Sequence, residues 1–310
     1  MRNFTNLISQ SSFYSVTTIT GPAISSYVVQ PGVNILHVEA CAGGGGGGGP
    51  AQNSTDRTKS GSGAGGNSGG YINCFIMFSS YVGHSPMAYA VGGAGAGGAR
   101  YYGPPAFPAG TGQPGAPGGS TILQVNGLDI FNLVGGIGGN PGLHWTSTSY
   151  LGGTSAPNGT SNSFTYEEST HIVGVVNLKA PKQGGAGACS NTSSENYNPG
   201  TMEANYGLPI AEHAGKILRV PFGTSWPGAP LGTQNHANGG AGAYGWLGQG
   251  GTSGYPQTLG SLIGSNARGY GSGGAGGSTM NIANGSANGS NGSPGVMTIT
   301  AYKGPIVDTI

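Results

Sequence analysis

NILHVEACAGGGGGGGP, residues 34–50, joins a strand-like segment directly to seven consecutive glycines. The alternation before the glycines predicts a β-strand. Its two faces would be Ile35, His37, Glu39 and Cys41 on one side and Leu36, Val38 and Ala40 on the other. A strand that opens into a glycine tract recurs along the chain, so this stretch sets the pattern of the fold.

The composition separates this chain from ordinary disordered sequences. Glycine supplies 67 and proline 20 of its 310 residues, a content that usually indicates disorder. Disordered chains also tend to be highly charged, whereas charged residues are only 6% here and the net charge is +1. We therefore expect an ordered glycine-rich domain. The near-neutral charge gives no electrostatic footprint for nucleic acid or an anionic membrane.

Further strand patterns alternate with glycine-rich tracts. The predicted strands lie at residues 71–78, 87–91, 171–178, 216–222 and 296–302, and a hairpin across Asn126–Gly127 is predicted over 121–134. The irregular period argues against a solenoid. No segment has a capped amphipathic helical pattern, and interior glycine costs about 1 kcal/mol in a helix. The predicted fold class is mainly β with packed polyglycine (polyproline) II helices and essentially no α-helix.

Two strand pairings follow from the first glycine tract and its flanks. Residues 27–42 read as a β-hairpin turning at Pro31–Gly32, a pair suited to a type II turn. The strand over 33–42 is expected to pair with the closing strand over 296–302, because the ends of the glycine tracts need to be fixed.

The glycine tracts are predicted to form polyglycine II helices. Such a helix has three residues per turn, about 3.1 Å rise and no internal hydrogen bonds. Its backbone groups point outward and must find partners, which neighbouring tracts without side chains can supply. The alternative is that the tracts are long surface loops. The Asn-Gly pairs at 284–292 are interpreted as turns.

The sequence divides into three parts. Residues 1–26 are rich in Ser and Thr with little glycine, and we interpret them as an extended attachment arm. An edge strand of the same domain is the alternative. Residues 27–303 form the glycine-rich β/polyglycine II domain, and residues 304–310 a C-terminal tail.

Several classes of function lack their motifs. Residues 1–30 show no secretory signal pattern, so we expect no signal peptide, and no apolar stretch approaches the roughly 18 residues of a membrane span. Glu167–Glu168 would face opposite sides of a strand. Neither a GxSxG nor a P-loop sequence occurs. The histidines have no ligand spacing, and the three cysteines read as small buried residues. We expect no enzyme, metal site or cofactor.

Aromatic residues in the loops are the candidate binding residues. Aromatics on rigid loops give large contact area at low entropy cost and stack on sugars. The candidates are Tyr101, Tyr102, Phe107, His144, Trp145, Tyr150, Trp226 and Trp246. The alternative is that they cap the ends of the glycine bundle, and the glycine context of Trp226 and Trp246 favours packing for those two.

The order of these motifs resembles the glycine-rich domain of bacteriophage tail-fibre proteins. The sequence Pro31-Gly32-Val33 opens a strand that enters the glycine run, and Gly69-Gly70-Tyr71 opens a second strand. A strand ending in VGGAGAGG at 91–98 follows, and PGVMTITAY at 294–302 closes the domain. The design is also similar to the glycine-rich distal adhesins of T-even-like phages. The N-terminal segment is shorter than the attachment domain of those adhesins, and residues 140–235 are longer and poorer in glycine than their pattern.

The resemblance implies a phage receptor-binding protein located on the virion, at a tail-fibre tip or similar appendage. Its loops would bind a bacterial outer-membrane protein or surface glycan. Residues 1–26 would attach to other virion fibre proteins, and a homotrimer is possible. The alternative is a structural virion protein, such as a decoration or appendage subunit, with no receptor role. A weaker reading, an extracellular matrix or ice-binding protein, is disfavoured by the irregular tract spacing.

Overall fold

The computed structural model of the chain describes residues 11–53, 60–78, 86–103, 111–146, 149–151, 163–164, 172–179, 181, 184, 189–190, 236–237, 239–252, 264–280 and 285–304. These residues form β-strands and extended glycine tracts, and none of them lies in a helix. The predicted mainly β class is therefore confirmed for this part of the chain. The strand predicted at 216–222 lies outside the described residues.

The strands of the described residues are numbered in chain order. They are β1 Ser12–Thr20, β2 Ala23–Tyr27, β3 Ile35–Cys41, β4 Ala51–Asn53, β5 Ser60–Gly61, β6 Tyr71–Met77, β7 Met87–Val91, β8 Tyr101–Gly103, β9 Thr121–Val125, β10 Leu128–Leu133, β11 Leu143–Thr146, β12 Ser149–Leu151, β13 Ser163–Phe164, β14 Ile172–Lys179, β15 Cys189–Ser190, β16 His236–Ala237, β17 Leu247–Gln249, β18 Arg268–Tyr270, β19 Thr279–Met280 and β20 Val296–Lys303.

The first sheet is antiparallel and has the order β1-β20-β3-β6-β14. The predicted pairing of the opening and closing strands is confirmed, with Cys41 opposite Val296 and Ile35 opposite Tyr302. The predicted alternation also holds, because Leu36, Val38 and Ala40 are fully buried. Strands β6, β7 and β14 confirm the patterns at 71–78, 87–91 and 171–178.

The second sheet has the order β13-β10-β9-β7-β2. Its β9–β10 hairpin turns at Asn126 (φ 51°) and Gly127 (φ 80°), as predicted, and both positive φ angles fit a type I′ turn. Side chains of both sheets, among them Leu36, Leu123 and Phe131, share one hydrophobic core. The two sheets thus form a sandwich.

The hairpin predicted over 27–42 is wrong. The turn exists, since the Val33 N–H donates to the Gln30 carbonyl at 3.0 Å and Gly32 has a φ of 81°. However, the strand before it, β2, pairs with β7 in the second sheet. Strand β3 already has β20 on one side and β6 on the other, so it offers no free edge. The turn signal specified a local reversal of the chain but not the partner strand.

Residues 12–20 form an edge strand rather than a separate arm. Strand β1 pairs antiparallel with β20 along its length, from Ser12 opposite Lys303 to Thr20 opposite Val296. The edge-strand alternative therefore describes this part of the N-terminal segment. The role of residues 1–26 in attachment stays a prediction.

Glycine tracts connect the sandwich to smaller strand pairs at their other ends. We call their assembly the glycine lattice, made of residues 43–49, 63–69, 92–99, 112–119, 134–142, 239–243, 272–277 and 287–293. Residues 43–49 are buried, which contradicts the alternative that this tract is a surface loop. It is the central tract of the lattice.

The N–H groups of the central tract change partner with a period of three residues. Those of Gly43, Gly46 and Gly49 donate at 2.8–3.0 Å to carbonyls of the tract 112–119. The next row, Gly44 and Gly47, donates to residues 293 and 290, and the third row donates to residues 67 and 64. All three of these neighbours run antiparallel to the central tract.

Its carbonyl groups follow the same period. They accept from three parallel neighbours, the tracts 134–142, 92–99 and 272–277. The central tract is thus surrounded by six others, and each of these bonds leaves the tract. A three-residue repeat without internal bonds is what the predicted polyglycine II helix requires. The helical conformation itself stays a prediction.

This packing explains why the central tract consists of glycine alone. A β-carbon on Gly44, Gly45 or Gly46 would lie 1.9–2.2 Å from a backbone oxygen of three different neighbours. Peripheral tracts admit other residues, some exposed, such as Ala96 and Ala116, and some buried, such as Ala64 and Ala275. Burial on every side therefore selects seven glycines in succession.

The Asn-Gly pairs in the last tract do not form the predicted turns. Residues 288–293 read Asn-Gly-Ser twice and belong to the lattice. Gly289 and Gly292 donate to the carbonyls of Gly98 and Gly95, each at 2.9 Å. The Asn-Gly pair therefore reflects the three-residue period, with glycine on the side that faces the central tract, rather than a change of direction.

Candidate functional site

The tracts carry the chain to a second end of the lattice, opposite the sandwich. Residues 43–49 lead from β3 to β4, and residues 92–99 lead from β7 to β8. These tracts run parallel, because Gly95 and Gly98 donate to the carbonyls of Gly44 and Gly47. Strand β8 consequently pairs parallel with β4, in a four-stranded sheet of order β15-β5-β4-β8. We call the part formed by β4, β5, β8, β11, β12 and β15 the far end.

Two of the predicted binding residues, Tyr101 and Tyr102, lie on β8 at this far end. Both are half-buried. The Tyr101 N–H donates to the Pro50 carbonyl at 2.9 Å, which fixes the strand to the end of the central tract. Tyr102 lies opposite Gln52, a fully buried residue of β4. The lattice thus holds the backbone of this pair in one position.

The hairpin of β11 and β12 brings three more predicted residues to the same end. Strand β11 contains His144 and Trp145, and β12 contains Tyr150. The hairpin lies against β4, β5 and β15, and Leu143 forms a bridge with Thr111. The backbone positions of five of the eight predicted binding residues therefore share the far end.

Trp246 lies at the opposite end of the lattice, beside the sandwich. Its ring is stacked on Tyr71, with 5.7 Å between ring centroids and 30° between planes. The Lys179 Nζ lies 5.6 Å from the centroid of the same ring. Tyr71 is fully buried and donates from its hydroxyl to Glu39 Oε1 at 2.6 Å. Trp246 therefore packs against the fold, the alternative that its glycine context had favoured. Phe107 and Trp226 lie outside the described residues.

Arg100, just before the start of β8, is not among the residues that the sequence indicated. It directly precedes Tyr101, is exposed, and donates from Nη1 to the Ser286 carbonyl at 2.6 Å. Its backbone N–H donates to Asn288 Oδ1 at 3.0 Å. These bonds connect the residue before β8 to residues 286 and 288, at the start of the last tract. One signal for this residue was available in the sequence. Arg100 is the single charged residue between a glycine tract and the pair Tyr101–Tyr102.

The buried thiols offer no nucleophile. Burial raises the pKa of both Cys41 and Cys74 to about 12, so that both stay protonated near neutral pH. They are free cysteines inside the sandwich region, which confirms the interpretation of these two as small buried residues. Within the described ranges, no three His, Cys, Asp or Glu side chains form a group that could hold a metal ion. The described residues contain no membrane-spanning helix.

Comparison with known proteins identifies the family of the chain. No curated protein matches the sequence. Residues 17–302, which run from β1 to the closing strand β20, match the family described as a glycine-rich domain. The match begins within β1 and ends within β20, and it covers the whole lattice. The chain therefore belongs to the glycine-rich domain family.

Proposed function

We propose that the protein is a phage receptor-binding protein, carried on the virion at a tail-fibre tip or a similar appendage. The observation that carries this proposal is the separation of two surfaces. The aromatic residues on β8 and the β11–β12 hairpin share the far end, whereas β1 lies in the sandwich at the other end. A protein that joins a fibre to a cell needs two such opposite surfaces.

The lattice supports this role by making the far end rigid. The backbone groups of the central tract bond to six neighbours, so the strands it supports have few alternative positions. Rigid presentation lowers the entropy lost when a receptor is bound. Half-buried aromatic side chains such as Tyr101 and Tyr102 can then give much of the contact energy. The receptor would be an outer-membrane protein or a surface glycan.

The attachment surface in this proposal is the edge formed by β1 and β2. Both are edge strands, one in each sheet. They expose Phe13 (63%), Val16 (57%) and Ile24 (87%), and neither strand contains a charged residue. Exposed uncharged edges are sites for adding a further strand. The partner is a strand of another virion fibre protein, and three copies of the chain can be arranged around such a fibre.

Binding of the purified protein to intact susceptible bacteria tests the receptor role. A variant carrying Tyr102→Ala and Trp145→Ala is compared with one carrying Tyr14→Ala and Leu128→Ala, two exposed residues near the sandwich. We expect the far-end variant to lose binding and the control to keep it. We also expect free wild-type protein to block phage adsorption. Equal binding by both variants contradicts the assignment of the far end.

The class of receptor is tested on treated cells. Protease treatment should abolish binding to a protein receptor, and periodate oxidation should abolish binding to a glycan. If the wild-type protein binds no candidate host, the receptor role is wrong. That outcome favours the structural virion subunit, whose removal would leave adsorption unchanged.

A further inference from the structure

One peripheral tract, residues 112–119, shows how the side chains on the outside of the lattice are arranged. Gly112, Gly115 and Gly118 donate to the carbonyls of residues 142, 139 and 136. The next row, residues 113, 116 and 119, donates to residues 99, 96 and 93. These two rows face neighbouring tracts. The third row faces away from them and is occupied by Pro114 and Pro117, both exposed.

Proline changes what this third row offers to another chain. It has no N–H, so a row of prolines presents no donor to an approaching backbone. Its fixed φ of about −65° is close to the −75° of an extended polyproline II helix, so it does not distort the tract. The edge of a β-sheet also exposes backbone groups to which a further chain can bond, and proteins block such edges with proline or charge.

The adjacent tract, residues 92–99, is covered in two ways. The N–H groups of Gly97 and Arg100 donate to the side-chain oxygens of Asn291 and Asn288, at 2.9 and 3.0 Å. Ala96 and Ala99 expose their methyl groups. Inside the lattice a β-carbon would meet a neighbouring carbonyl oxygen at about 2 Å, as at Gly46 and Gly115 (2.0 Å each). An exposed methyl group at such a position therefore leaves a further tract less room to approach than a glycine would.

We propose that Pro114 and Pro117, together with the methyl groups of Ala96 and Ala99, close this side of the lattice against a second copy of the chain. The tract that would otherwise add is 112–119 of that copy. A twofold axis would place it antiparallel, the orientation that 112–119 already has towards the central tract. These four residues prevent a further tract from adding to the lattice. The chain then associates only through its other surfaces.

Sedimentation over a range of concentrations tests the proposal. The variant carrying Pro114→Gly and Pro117→Gly gains two backbone N–H groups and loses two side chains. We expect its weight-average mass to rise with concentration, from the wild-type value towards twice that value. The control carries Gln30→Gly and Pro31→Gly, two exposed positions that lie outside the lattice and outside the edge strands β1 and β2. It should keep the wild-type mass at every concentration.

A second variant, Ala96→Gly with Ala99→Gly, opens the adjacent tract without touching either proline, and we expect it to associate as well. It decides the question if the proline variant does not fold, as judged by circular dichroism. The proposal is overturned if the folded variants keep the wild-type mass at about 100 µM. It is also overturned if the Gln30/Pro31 control associates to the same extent.

Discussion

A β-carbon on Gly46 would lie 2.0 Å from the carbonyl oxygen of Ala96, in the tract that runs beside it. The three nearest atoms all belong to the backbone of Ala96 and Gly97, so no flexible side chain can move to make room. We expect Gly46→Ala to lower the free energy of unfolding by about 3 kcal/mol or more, and Gly46→Val to abolish folding of the lattice. Urea denaturation measures the first effect.

Gly93→Ala is the matched control for that substitution. Its added methyl would meet only the Pro22 side chain, at an ordinary 3.4 Å. We expect a change within about 0.5 kcal/mol, as for most surface substitutions. If Gly46→Ala were tolerated as well as Gly93→Ala, the packing of the central tract would be wrong.

The side chain of Asn291 takes the place of a backbone acceptor on the outside of the lattice. Its Oδ1 accepts a hydrogen bond from the Gly97 N–H at 2.9 Å. We expect Asn291→Ala to cost about 1 kcal/mol, the usual net value of such a bond. Hydrogen exchange at the Gly97 amide should become faster. Asn291→Asp keeps an acceptor oxygen and should protect that amide. Unchanged exchange in the alanine variant would show that the amide is protected by something else.

Trp246 should affect stability and not receptor binding. Removing its ring uncovers Tyr71, so Trp246→Ala should cost about 2 kcal/mol in the free energy of unfolding. Trp246→Phe, which keeps an aromatic ring there, should cost less. Binding to bacteria should be the same for all three proteins under conditions where each is folded. Loss of binding without loss of stability would return Trp246 to the binding surface.

The buried thiols should be unreactive in the folded protein. With a pKa of about 12 for Cys41 and Cys74, only about one thiol in ten thousand is ionised at pH 8. In a Cys189→Ser background, we expect Ellman's reagent to label neither thiol in the folded state and both in urea. Rapid labelling without denaturant would mean that the sandwich opens locally.

The strands were predictable because their side chains alternate and their pairing closes the domain. The alternation over residues 35–41 predicted the two faces of β3, of which Leu36, Val38 and Ala40 form the fully buried one, and the partner strand β20 followed from the need to fix the tract ends. The partner of β2 was not predictable. A turn at Pro31–Gly32 constrains only four residues, whereas sheet membership depends on which edges remain open.

The lattice tracts that contain polar residues as well as glycine were harder to recognise from the sequence. A run of glycines is visible by composition, but Asn-Gly-Ser at 288–293 also fits a series of turns. The distinguishing signal is glycine at every third residue, which also occurs at Gly112, Gly115 and Gly118. At the candidate site, the sequence selected aromatic residues but could not place them. Five of these aromatic residues lie at the same end of the lattice, and this depends on which tracts run parallel, which the sequence does not specify.

The hydrogen bonds of residues 43–49 also set the order in which the chain can fold. These residues are made early in synthesis, yet Gly44 and Gly47 donate to Ser293 and Ser290, near the last strand. Until that strand is present, the centre of the lattice lacks partners for some of its backbone groups. Contacts between distant parts of a chain also slow folding. The domain must therefore wait for its C-terminal residues, and a chain cut short before them should be degraded rather than assembled.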